Sequence, residues 1–113
     1  MNSKKNSTSM TLYQQGDVLL QQIPALPTGA QVRQRGGRIV LAEGEVTGHA
    51  HAIEEAEGVQ LYTLDQLLYL VADHEVTVTH EEHGAVTLLA GIYQVGIVQE
   101  YDYLAEEARK VRD

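Results

Sequence analysis

Apolar residues recur along most of this chain with a period of two, in runs of four to seven, and turn-forming residues break each run. That is the pattern of short β-strands. Residues 76–80 (VTVTH) alternate strictly, as a half-buried strand does. Further strands are predicted over 17–23, 31–34, 38–42, 49–53, 59–64, 67–72, 85–89 and 92–98. Pro24 to Gly29 breaks any ladder and reads as a loop. Gly36-Gly37, between two candidate strands, reads as the turn of a hairpin. Residues 64–72 are leucine-rich, so a helix competes there with the strand. Leu104, Ala108 and Val111 fall on one helical face, which predicts a short C-terminal helix. The first ten residues are polar and aperiodic and read as a disordered tail. The expected architecture is mostly β: a small β-barrel or β-sandwich, one domain over 11–113, closed by that helix.

Composition narrows the chemistry. With 113 residues and no Cys, the chain has no disulfide, no thiolate zinc site and no cysteine nucleophile. Its serines are Ser3, Ser7 and Ser9, all in the tail, which leaves a serine hydrolase without a nucleophile. No apolar run approaches the length of a membrane span, and the N-terminus lacks the apolar stretch of a secretory signal. A cytoplasmic protein is the expectation.

The net charge is -8, and its distribution is uneven. No Lys or Arg occurs between Ile39 and Ala108, the stretch that holds all five histidines. A nucleic-acid binder needs a basic stripe, and the cluster Arg33, Arg35 and Arg38 is a small one. Nucleic acid and anionic membranes are therefore not expected as partners. A cation suits the acidic stretch, as does a basic protein surface. Pairing of open strand edges would favour a homo-oligomer.

Residues two apart on a strand face the same way, so His49 and His51 present two imidazoles side by side. His80 ends a strand, and His83 lies in the turn after it. Three His, or two His and a carboxylate, form an open site for Zn, Fe, Mn or Ni. His80-Glu81-Glu82-His83 is one residue short of the zinc-protease motif and lies in β-type sequence, so that class is excluded. A histidine can also serve only as a hydrogen-bonding group.

Gly44-Glu45-Val46-Thr47-Gly48-His49-Ala50-His51 resembles the first motif of the cupins, with Glu55 at the motif's Glu position. The resemblance implies a β-barrel in which His49, His51 and Glu55 are ligands and a later histidine such as His80 is the fourth. Over a longer span, from Gln15 to Asp102, the blocks QGDVLL, GEVTGHAH, HEEHG and QEYD resemble a set of small uncharacterised prokaryotic and phage proteins. That likeness implies that the two histidine blocks belong to one recurrent module. The function expected is divalent-metal binding through His49, His51, His80 and His83, with Glu55 from the cupin resemblance, in a metalloenzyme of cupin type. The alternative is a non-catalytic homo-oligomeric structural or interaction protein with an acidic surface.

Overall fold

A computed structural model describes residues 10–44 and 46–98. Residues 1–9 of the predicted ten-residue tail and the predicted C-terminal helix lie outside the described residues. Within them the chain is β throughout, with ten strands and no helix. The strands are β1 (Leu12–Gln15), β2 (Val18–Ile23), β3 (Gln31–Arg35), β4 (Ile39–Glu43), β5 (Ala50–Ile53), β6 (Val59–Leu64), β7 (Leu67–Ala72), β8 (Val76–Val78), β9 (Val86–Leu88) and β10 (Gly91–Ile97). No helix among the described residues is long and apolar enough to cross a membrane.

Six strands form one antiparallel sheet in the order β1-β2-β10-β7-β6-β3. Two smaller pairs, β4-β5 and β8-β9, are also antiparallel. A bridge between Ala52 and Thr79 joins these pairs, each residue's N–H donating to the other's carbonyl. The ladders do not close into a ring among the described residues.

One apolar core is shared by the large sheet and the two pairs. Val18, Leu20, Leu61, Leu70, Tyr93 and Val95 come from the first; Ile39, Leu41, Ile53, Val78 and Leu88 come from the second. The alternation read in the sequence is the alternation of burial, as in Val76-Thr77-Val78, which runs buried, exposed, buried. Each fully buried aliphatic side chain contributes roughly 1.5–3 kcal/mol. β5 departs from the alternation: Ala50, His51, Ala52 and Ile53 are all buried. It lies between β4 and Thr79, so a histidine at its second position is carried into the interior.

The sequence misplaced one connection. Gly36-Gly37 is not a hairpin turn. Its two flanking strands sit in different sheets, β3 on β6 and β4 on β5. Both glycines have positive φ, and the corner they make is tied down by Gly36 N–H donating to Val59 O and by Ala56 N–H donating to Gly37 O. The physical reason lies in burial: β3 is polar and mostly exposed, whereas Ile39 and Leu41 of β4 are core. A two-residue hairpin is formed instead by β6 and β7, whose turn residues Asp65 and Gln66 both have positive φ. That pairing also excludes the competing helix over 64–72. A strand missed by the sequence reading, β1, completes the sheet edge.

Candidate metal centre

Four of the five histidines meet at one cleft of about 700 Å³. The loop from Gly44 to His49 closes the β4-β5 hairpin, with Gly44 N–H donating to His49 O (2.7 Å) and His49 N–H donating to Val46 O. That loop delivers His49, and the first half of β5 delivers His51. The chain leaving β8 through Thr79 delivers His80, then His83. Ring centroids lie 4.3 Å apart for His51 and His80, 4.7 Å for His80 and His83, and 5.6 Å for His49 and His80. Ligand atoms of His49, His80 and Glu81 lie within 4.8 Å of one another.

Gly44 makes this approach possible. A Cβ there would stand 2.9 Å from His49 Cβ and 3.2 Å from His80 Nε2. Gly16 plays the same part for His83: a Cβ would stand 2.7 Å from His83 Nε2, and φ there is +57°.

His51 is the fixed member of the group. It is 2% exposed. Gln15, also buried, donates from Nε2 to Val78 O (3.0 Å) and to Gly84 O (2.9 Å). Those two bonds decide which way the Gln15 amide points, so its Oε1 is the atom that meets His51 Nδ1, at 2.8 Å. An amide oxygen only accepts, so Nδ1 carries the proton. Nε2 of the neutral ring is then a lone pair, and it faces Asp17 Oδ1 at 3.5 Å. Burial, followed by the neighbouring His80, lowers the His51 pKa, while Asp17 opposes that shift.

His80 is set differently. Its Nδ1 accepts the backbone N–H of Glu82 (3.0 Å) and lies 3.4 Å from that of His83. The proton of the neutral ring is therefore on Nε2, and a neutral His80 becomes a ligand only by giving up those backbone bonds, either to free Nδ1 itself or because freeing Nε2 moves the proton to Nδ1. His49 Nδ1 lies 3.3 Å from Glu82 Oε2. Glu81 Oε1 accepts the Ala50 N–H at 2.9 Å, taking the place of a strand carbonyl beyond the Ala52–Thr79 bridge. That bond, the largest cause, holds the Glu81 pKa below the ordinary carboxylate value.

His49, His51, His80 and His83 are thus brought together. Glu55 is not among them. It is exposed on the turn after β5 and lines a separate, smaller cleft with Glu54, His74 and Glu75. The residues that sequence reading passed over are Gln15, Gly16, Asp17, Glu81 and Glu82. Glu81 and Glu82 stood inside the second histidine block. Gln15-Gly16-Asp17 lies more than thirty residues from the first histidine, and the signals that marked it were its place at the head of a strand and its membership of the QGDVLL block.

What the arrangement offers is one buried imidazole nitrogen with a free lone pair, three more imidazoles beside it, and carboxylates at the rim. Among the described residues, no lysine or arginine lines the cleft. These are borderline nitrogen and hard oxygen donors of the kind that hold Zn, Fe, Mn or Ni. No curated protein and no solved structure is significantly similar to the chain. The profile of the family described as "Domain of unknown function (DUF8820)" matches residues 14–98, from the strand that bears Gln15 to the end of the last described strand, and the chain belongs to that family.

Proposed function

We propose that this protein binds a divalent metal ion at the histidine cleft, on a cupin-like β-barrel or sandwich, and uses the ion in catalysis. The observation that carries this reading is the convergence of His49, His51, His80 and His83 from two separate blocks onto one cleft. Structural duty alone does not account for it. A histidine kept only for packing has its nitrogens bonded within the protein, whereas His51 turns a lone pair toward a carboxylate. Two acceptors facing each other favour a cation between them.

The cleft favours an enzyme over a closed structural site. Its volume falls in the range of small-molecule sites, about 300–1,000 Å³. Apolar Val46, Ile97 and Val98 line it beside the histidines. A bound ion there would act as a Lewis acid or lower the pKa of a bound water. The chain's own groups would position the substrate.

The test is elemental analysis of untagged protein at native expression level, with the His49→Ala/His51→Ala variant beside it. About one Zn, Fe, Mn or Ni per chain, lost in the variant, is the expected result. Protein that is metal-free as isolated, and that takes up none of these ions on titration, overturns the reading. An ion held with no open coordination position, at a contact between subunits, would instead favour the non-catalytic homo-oligomer.

A further inference from the structure

Three consecutive residues, Gln15, Gly16 and Asp17, each meet a histidine of the cleft, although the nearest histidine in sequence is more than thirty residues away. Gln15 accepts from His51 Nδ1. Gly16 leaves the space that His83 fills. Asp17 stands opposite His51 Nε2. This is the turn between β1 and β2, and a turn of that length needs no such partners to close.

We infer that Asp17 supplies the carboxylate ligand of the metal site, with Gln15 as the positioning residue that turns the His51 lone pair toward the ion. This rests on the metal-binding reading above and adds the ligand that the histidines leave open.

Four observations carry it. First, the amide of Gln15 is held at three points, through Val78 O, Gly84 O and His51 Nδ1, so its direction is not free. A metal-bound imidazole commonly donates its other N–H to a carbonyl or carboxylate, which fixes the ring and raises its basicity. Gln15 Oε1 fills that role here. Second, His51 is nine-tenths buried or more, and among the described residues its Nε2 meets no hydrogen-bond donor; the group it faces, Asp17 Oδ1, is a carboxylate oxygen, itself an acceptor. Third, the separation of 3.5 Å is longer than a charge-assisted hydrogen bond and close to the distance between two ligand atoms of one ion. Ions with ligand bonds near 2.0–2.2 Å hold adjacent donors about 3–3.5 Å apart. Fourth, Asp17 is half-exposed and makes no other ion pair among the described residues, so its carboxylate is not committed elsewhere. Glu81, by contrast, already accepts the Ala50 N–H, and Glu55 lies in another cleft.

The two roles separate experimentally. Metal-free protein, Asp17→Ala and Gln15→Leu are titrated with Zn(II) by calorimetry and with Co(II) by visible absorption. Asp17→Ala removes an exposed side chain from a turn, so the fold survives, as thermal unfolding of the metal-free protein verifies. It is expected to weaken Zn(II) binding by at least tenfold and to alter the Co(II) spectrum. Gln15→Leu is expected to weaken binding by about 10–100-fold, the effect of losing a group that orients a ligand. Side-chain nitrogen-15 NMR of the metal-free proteins supplies the readout that a merely structural role would not move. His51 is expected as the Nδ1–H tautomer in the native protein. In Gln15→Leu the proton is expected on Nε2, where Asp17 is the acceptor that remains. Should Gln15→Leu fail to fold, Asp17→Ala and the native tautomer still decide the matter. Native protein that binds Zn(II) while Asp17→Ala keeps the same affinity and Co(II) spectrum overturns this assignment and leaves the metal-binding reading standing. Native protein that binds neither ion overturns both.

Discussion

At one end of the β5 and β8 strands stand His49, His80 and Glu82; past the other end stand Glu54, Glu55, His74 and Glu75. Both ends combine imidazole with carboxylate, and both line a cleft. They differ in what holds the side chains. At the first end two rings are positioned by residues distant in sequence, His51 by Gln15 and His83 by the space over Gly16, while His80 lies over Gly44 and accepts the Glu82 N–H, and His49 packs across its own loop on Gly44. At the second end His74 bonds the carboxylate of its own neighbour, Asp73, and both are exposed. That pair keeps the freedom of two surface side chains, and its net worth is small. Donor type is common to the two ends. Preorganisation is not, and a site depends on it.

The largest effect expected from breaking this contrast comes from Gly44→Ala. The added methyl would stand 2.9 Å from His49 Cβ and 3.2 Å from His80 Nε2, and φ at Gly44 is not in the left-handed region. The substitution therefore tests crowding rather than backbone strain. Overpacking of this kind costs about 1–3 kcal/mol. It should also displace both rings and weaken metal binding tenfold or more, read by thermal unfolding and Zn(II) titration. Gly84→Ala is the control, in the same segment as His83, because a methyl there meets nothing within 4 Å. Equal losses in both variants would show that the rings are not held by the space over Gly44.

How much of this was readable in the sequence follows from the same contrast. A period of two places His49 and His51 on one face, and the structure brings both to one cleft. Period and turn residues likewise gave 59–64 and 67–72 their strand boundaries. Periodicity carries no information about which strands pair. Arg35-Gly36-Gly37-Arg38 looks like a hairpin turn locally, and only the pairing of β3 with β6 shows that it is a corner between sheets. Gln15 suffered from the same gap. A glutamine at a strand end is ordinarily a surface residue, and its burial is decided by carbonyls 63 and 69 residues away. Glu55 shows the reverse error. A spacing borrowed from a resemblance placed it with the histidines, and the turn after β5 carries it elsewhere.

A smaller effect is expected from pH in the metal-free protein. The His51 pKa is lowered from 6.5, chiefly by burial and then by His80. The unfolded chain therefore binds a proton at this site more readily than the folded one. Stability is then full above about pH 6.5 and falls as the pH drops through and below it. Urea unfolding midpoints between pH 7.5 and pH 5, in the presence of a chelator, should decrease toward acid. His51→Gln should flatten that slope. A slope that persists in His51→Gln would assign the acid sensitivity to another group.

The smallest effect is expected at Glu55. Its side chain is exposed, and it shares its cleft with Glu54 and Glu75 rather than with His49 or His51. Glu55→Gln removes one charge from an acidic turn and leaves every hydrogen bond of the histidine cleft in place. Surface substitutions of this kind fall within about 0.5 kcal/mol. Zn(II) affinity should be unchanged, and relief of repulsion among the three glutamates should, if anything, raise the unfolding temperature slightly. A loss of affinity comparable to that of Asp17→Ala would mean that the turn after β5 folds back on the histidines when metal binds. The two ends of the strand pair would then belong to one site, and fixed partners would not be what separates them.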